Sequence, residues 1–287
     1  MLIAATCSTI AAMLAYASGG DTITLTGHCG LIEIKKTYTT PLIINAEKAR
    51  VRGLVISGRN VVWQGGTLSA PGTLDTTGPN GYAVKISGRD ITLRGATITA
   101  AKKGMVIDGA QGIRIERNNF WRVREDGIIA SDTKRLTVVY NQFSETLPLP
   151  SKCIGPDGVI ALAVPQRDCR GTWIDGSHAD AVQMRNGIED ALIANNGVLG
   201  PTSGITQMDT IGDRPLRRVV VEANRIITDA YHRITLDECF DCVIRNNNAR
   251  KVPGTTKRVV ILPGRAMRCG NYAEDERVRD APCRAGA

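Results

Sequence analysis

Ile113-Arg114-Ile115-Glu116-Arg117-Asn118-Asn119-Phe120 and Leu136-Thr137-Val138-Val139-Tyr140-Asn141-Gln142-Phe143 can be written one beneath the other, and the chain supplies further lines of the same kind. Upstream they begin at Val61 and Ile91, and downstream at Ala191, Val219 and Cys242. Each line alternates apolar and polar residues, turns at Gly, Ala or Asn, and resumes with an apolar residue. Alternation with period two is the mark of a strand with one buried face. A second alternating segment precedes each line, as in Ala83-Val84-Lys85-Ile86, Met105-Val106-Ile107-Asp108, Ala181-Val182-Gln183-Met184 and Ile205-Thr206-Gln207-Met208. The turn positions recur roughly every 20–30 residues, the range of solenoid repeats.

The repeat therefore predicts an all-β, single-stranded right-handed parallel β-helix (solenoid) of about eight to ten coils. A propeller needs four strands per repeat, and right-handed crossing is the rule for parallel connections. Asn118, Asn141, Asn196, Asn224 and Asn247 fall at equivalent turns. Stacked coils would align them into an amide ladder that satisfies buried polar groups.

Composition agrees with this. The 287 residues carry 43% hydrophobic side chains, too many for a disordered chain. Aromatic residues make up 4%, and 30 residues are Gly. Lys and Arg number 36 against 28 Asp and Glu, a net charge of +8 that favours an anionic partner. The cations are scattered and stacking aromatics are few, which argues against nucleic acid as that partner.

Leu2 to Ala17 is an apolar, small-residue run closing in Ala15-Tyr16-Ala17. It reads as a signal peptide over residues 1–17, too short to span a membrane, or as a first helix buried against the end of the fold. With residues 1–17 removed, the remaining cysteines lack zinc-site spacing and suggest disulfides in a secreted or periplasmic protein. Sequence proximity pairs Cys153 with Cys169 and Cys269 with Cys283, leaving Cys29 as the odd thiol. The β-helix is expected over 18–263, with an inserted loop at 144–170 and a cysteine-bearing tail, 264–287, covering the last coil.

The repeat breaks at that Pro-rich insertion and tightens immediately after it, at Trp173-Ile174-Asp175-Gly176-Ser177-His178-Ala179-Asp180. Aligning the following coils puts Asp180, Gly204 and Arg233 in one column, bordered by His178, Tyr231 and His232. Coils lie about 4.8 Å apart, so Asp180 and Arg233 would flank a gap wide enough for a sugar ring. Met184, Met208 and Asp237 would continue this face, and Gln183 and Gln207 would stack inward.

The coil pattern from about 21 to 263 resembles the pectate lyase-like (pectin lyase-like) right-handed parallel β-helix superfamily. Its members include polysaccharide lyases, polygalacturonases, uronan epimerases and phage tailspikes. Trp173-Ile174-Asp175, Asp180 and Ile193-Ala194-Asn195-Asn196 look like the Trp-Ile-Asp-His, Asp-Gly and Ile-x-x-Asn stretch of pectate lyases. The resemblance implies Ca2+ binding at Asp180. Gly176 stands where the family has His, Met184 stands where it has a second acidic ligand, and the Arg-x-Pro-x-x-Arg stretch is missing.

The expectation is a carbohydrate-active enzyme that cleaves an acidic, uronate-containing polysaccharide by β-elimination. A cation must neutralise the uronate carboxylate while a base takes the C5 proton. Arg233 or Arg185 would supply the charge, His178 or His232 the base, and Tyr231 the acid. Gln183, Gln207, Asp209 and Asp237 are candidate substrate contacts. Asp209, Asp213, Asp237 and Glu238 form an acidic group without a compact ligand loop; with Asp180, Asp209 is the candidate Ca2+ ligand. A hydrolase would use two carboxylates, Asp180 with Asp209 or Asp237. A noncatalytic glycan-binding or surface β-helix is the alternative outside enzymology.

Overall fold

The computed structural model describes residues 1–74, 76–146, 152–162, 166–174, 179–207, 214–256, 258–275 and 280–283. The chain winds into a right-handed parallel β-helix with three walls. Wall one is a nine-stranded parallel sheet running from Ile32–Ile34 to Val260–Leu262. Walls two and three are two columns of a twenty-stranded sheet, because strands such as Thr37–Arg52 turn the corner unbroken in the early coils.

The corners follow from backbone conformation. Wall two opens each coil with a left-handed residue (Asn60, Asp90, Arg135, Asp190, Arg218 and Asp241) and closes with another (Arg117, Tyr140, Asn195, Ala223 and Asn246, φ +53° to +59°). An L-residue there costs roughly 1–2 kcal/mol. At the closing corner the next residue offsets this cost. Asn118, Asn141, Asn196, Asn224 and Asn247 each donate through Nδ2 to Oδ1 of the following rung, at 2.9–3.1 Å. The same amides reach backbone carbonyls of the preceding coil at 2.9–3.0 Å. Every amide in the buried column is thus paired.

The sixth rung is Asn271, inside the segment expected as a tail. Strands Met267–Cys269 and Tyr272–Ala273 extend walls two and three, so the helix runs beyond 263. The chain then folds back. Asp280 accepts from Asn271 Nδ2 at 2.7 Å and pairs with Arg268, and Cys283 is disulfide-bonded to Cys269.

At the other end, Leu2–Thr6 pairs with Thr22–Thr26 as the outermost strand, and the helix Ile10–Tyr16 lies across the core with Ile10 and Leu14 buried. Lys36 Nζ donates to the Ala15 and Ala17 carbonyls at the helix end. With residues 1–17 present, Cys29 is bonded to Cys7. In the full chain the helix covers this end of the core. Cys153 pairs with Cys169 as expected, and Cys239 pairs with Cys242, leaving no free cysteine among the described residues. The insertion is more than a loop: Lys152–Ile154 pairs antiparallel with both Ile160–Leu162 and Thr172–Ile174.

Inside, like residues stack on like. Phe120 and Phe143 lie 4.6 Å apart with rings 13° from parallel. Gly104 and Gly127 face them from wall one, where an added Cβ would come within 2.9 and 2.6 Å of those rings.

Candidate functional site

Wall one carries two outward columns that separate its strands from solvent. The first runs through Tyr82, Lys103, Asp126, Asp180, Ser203 and His232; the second through Val55, Lys85, Val106, Ile129, Gln183, Thr206 and Thr235. Between them, the column Ala83, Gly104, Gly127, Ala181, Gly204 and Arg233 points into the core.

This register corrects the expected cleft. Asp180 pairs with Ser203, so Gly204 lies opposite Ala181. A slip of one residue exchanges the faces of a strand, and it sends Arg233 indoors. Its side chain is fully buried, with Nη2 donating to Thr228 O at 2.6 Å and Nη1 to Arg258 O at 3.4 Å. Its own coil has Ala249 on wall three, where earlier coils have Phe120, Phe143 and Ile226, and this leaves room for the long side chain. Burial lowers the guanidinium pKa, against a weaker opposing pull from Asp229, Asp275 and Glu274. Arg233 cannot meet a substrate on the outer face. The two glutamines do not stack either. Gln183 faces Thr206 across the strands, while Gln207 is bonded between Glu238 O and the Asp237 amide.

The centre of the outer face is a polar chain. The Asp180 amide donates to Asp126 Oδ1 at 3.1 Å, Gln183 Nε2 to Asp180 Oδ2 at 3.0 Å, and Arg185 Nε to Gln183 Oε1 at 2.7 Å. Asp126 and Asp180 are both buried. Burial, reinforced by repulsion from Asp180, pushes the Asp126 carboxyl up to about 7, against the Asp180 amide bond and the charge of Lys103. Two coils beyond Asp180, His232 Nδ1 shares a 3.0 Å hydrogen bond with Thr235 Oγ1, and the Tyr231 ring meets His232 edge-on at 5.0 Å. Tyr231 is exposed, and so is Asp237 in the turn leaving the wall. His178 and Asp209 lie outside the described residues.

Toward the first coils the same face opens into a groove. One part, about 540 Å³, is lined by Glu33, Val55, Pro79, Tyr82 and Lys85 among others. The adjoining part, about 230 Å³, is lined by Thr76, Tyr82, Lys102, Lys103 and Val106. Lys102 pairs with Glu125 at 3.2 Å, whereas Lys85 has no ion-pair partner among the described residues. Asp126 and the lysines escaped the sequence reading. The signal was present: Asp126-Gly127-Ile128 is the counterpart of Asp180-Ala181-Val182, one coil earlier.

For Ca2+, the described oxygen donors beside Asp180 come to one further carboxylate, Asp126. Among the described residues no group of three or more His, Cys, Asp or Glu is placed to hold a metal. A Ca2+ site needs six to eight oxygens, and those two carboxylates do not form such a set.

The family described as "right handed beta helix region" matches residues 20–154. No curated protein matches the sequence. Among solved structures, the chain is similar to an alginate lyase from Paenibacillus sp. str. FPU-7, at 15% identity over 96% of this chain and 95% of that one, TM-score 0.49. It is also similar to the pectate lyase Pel9A, at 9% identity over 96% and 76%, TM-score 0.33. A third is the PL6 family alginate lyase AlyGC, at 14% identity over 96% and 50%, TM-score 0.33. These identities concern the course of the backbone and assign no residue a role. The matched family describes the same kind of fold that the repeat predicts and the strands form, a right-handed parallel β-helix.

Proposed function

We propose that this right-handed β-helix is an exported enzyme that binds an acidic, uronate-containing polysaccharide along wall one and cleaves it by β-elimination at Asp126. One observation carries the reading: a covered carboxyl with a pKa of about 7 stands on the outer face, one coil from Lys103, where the cationic groove ends. A group whose pKa lies near neutrality is suited to moving protons. Lys103 on one side and Arg185 on the other take the charge-neutralising role first sought at Arg233. Ionised Asp126 takes the C5 proton, electrons flow into the C4–C5 bond, the C4–O bond breaks, and the leaving sugar oxygen takes up a proton from solvent. Four disulfides suit an oxidising compartment, and no described helix is long and apolar enough to cross a membrane.

A second reading rests on the same pair. Two carboxyls in neighbouring coils, one kept protonated near neutrality, also suit hydrolysis, with Asp126 as the acid and Asp180 as the base or nucleophile. The pH profile separates them. A base must be ionised, so lyase kcat rises through pH 7, whereas an acid must be protonated, so hydrolase kcat falls through it. The experiment is incubation with a panel of uronate polymers, following absorbance of unsaturated ends and, separately, new reducing ends. Asp126→Asn should lower kcat about 100-fold or more and abolish the inflection near pH 7. Reducing ends without unsaturation transfer the assignment to hydrolysis. Binding without product would make the chain a glycan-binding module.

A further inference from the structure

Walls two and three carry their charges differently. Wall two is a lattice of ion pairs between coils, as in Arg59–Asp90, Lys134–Glu189, Arg218–Asp190 and Arg245–Glu222. Wall three, from the segment 50–52 to the strand Tyr272–Ala273, carries Arg50, Arg52, Arg225, Arg250 and Lys251, and no Asp or Glu in any of its strands. Lys251 is paired with Asp275 from beyond the wall, and Arg250 lies over the Tyr272 ring. Arg50 and Arg225 are exposed and have no ion-pair partner among the described residues.

Those two arginines stand on one outward column, six rungs apart, with Thr67, Thr97, Asn119 and Gln142 among the rungs between them. At one strand spacing per rung the track is about 29 Å long. Gly197 leaves room on it for the Gln142 amide, which an added Cβ would strike. Midway, on the neighbouring column, Trp121 is 36% exposed between the smaller Thr99 and Ser144. The Arg122 guanidinium stands 5.3 Å from its ring centre. Arg122 also reaches Glu145 at 3.9 Å, but both side chains are exposed, and such a pair contributes little. The wall thus presents a cation about every three rungs, an aromatic ring at the middle one, and hydroxyls and amides between. One rung is close to the length of one sugar unit in a chain.

We propose that wall three is a second, noncatalytic binding surface for an anionic polysaccharide. Arg50, Arg122 and Arg225 take carboxylates of sugars about three units apart, as planar donors suited to that group. Trp121 receives the face of a sugar ring, and Thr67, Thr97, Asn119 and Gln142 bond the hydroxyls between. The surface stands on its own geometry; the class of polymer is what it shares with the function proposed above. A second copy of the chain seated wall to wall would set like charges against one another. Nucleic acid would find a single exposed ring to stack on between Arg50 and Arg225. A polymer held here remains at high local concentration for the groove of wall one, which raises apparent affinity and leaves the chemical step unchanged.

The test titrates the full chain, carrying Asp126→Asn so that no polymer is consumed, with sodium polygalacturonate and sodium alginate. Adding Arg50→Gln together with Arg225→Gln should weaken binding about tenfold or more, the size of a lost charged hydrogen bond. Trp121→Ala should weaken it as well, and Trp121→Phe should restore most of the loss. All three side chains are exposed, so thermal unfolding of these variants should match the parent. Fully methyl-esterified pectin, which lacks the charges, should bind the parent and the double arginine variant alike. Polymer binding unchanged in the arginine and tryptophan variants overturns the surface. A single-stranded DNA oligomer bound more tightly than either polymer, and lost in the same variants, overturns polysaccharide as the occupant. The two proposals fail separately. If wild type makes no product from any polymer while the wall-three variants still lose binding, the activity falls and this surface stands. If product forms and these variants bind as the parent does, the surface alone falls.

Discussion

Arg233 and Asp126 are both buried ionisable groups, and opposite facing separates their roles. Asp126 lies on the outer side of wall one, where a proton can be exchanged with a ligand; Arg233 lies inside, where its Nε has no hydrogen-bond partner. Exchange of a buried ionic group for a well-packed hydrophobe of similar volume is often neutral, or stabilises by about 1–4 kcal/mol. Arg233→Met should therefore leave the urea midpoint unchanged or raise it, with kcat unaffected; a loss of kcat in a stable variant would return Arg233 to the chemistry. For Asp126 the sign is opposite to that of a salt-bridged acid. Its folded pKa, about 7, lies above the unfolded value near 3.8, so the folded state binds the extra proton between those limits. Stability is then highest below about pH 4 and declines up to about pH 7 on account of this group. Denaturation midpoints of the wild type and Asp126→Asn, measured across that window, should diverge progressively, with the variant showing the flatter profile.

The Asn ladder is the element that makes the second corner affordable to non-glycine residues. Asn196 accepts the Asn141 amide N–H and its Nδ2–H on one oxygen, and donates to Val138 O and Asn224 Oδ1. Asn196→Ala would strand buried partners in two coils, at roughly 3 kcal/mol. Asn118, whose oxygen serves the Ala96 amide in place of another rung, stands at the edge of the ladder, and its replacement should cost less. Chemical denaturation of the two variants checks the order. The ladder was legible because Asn recurs at the same place after each wall-two strand from Gln111–Glu116 to Val243–Arg245. Asn271 was missed because charged residues and cysteines around it mask the apolar alternation, although it bonds as a full rung at 2.9 Å.

At the scale of the molecule, a solenoid is a stack whose two ends expose unpaired strand edges, and edges invite association. One end is closed by Leu2–Thr6, the helix Ile10–Tyr16 and the Cys7–Cys29 bond, and the other by the return of 280–283 onto Asn271. Expressing residues 18–287 should free the Cys29 thiol, uncover the edge of Thr22–Cys29 and lower Tm or cause aggregation. Thiol titration and light scattering read this directly. A truncated chain as stable and monodisperse as the full one would show that residues 1–17 are dispensable, as a leader would be.

The sequence by itself determined the walls, because alternation and recurring turn residues are local and repeat in every coil. It also determined the column of amides. Only the tertiary structure decided which side chains share the outer face. The connections from wall three to wall one vary in length, so the pairing of Asp180 with Ser203 rather than Gly204 is set by packing and not by spacing. That single step moved Arg233 into the core, and because Ala181 and Val182 are buried in succession, Asp180 and Gln183 meet three residues apart, where strict alternation would part them. The raised pKa of Asp126 likewise comes from cover and from a neighbouring carboxylate 54 residues away in the chain, which no local pattern encodes.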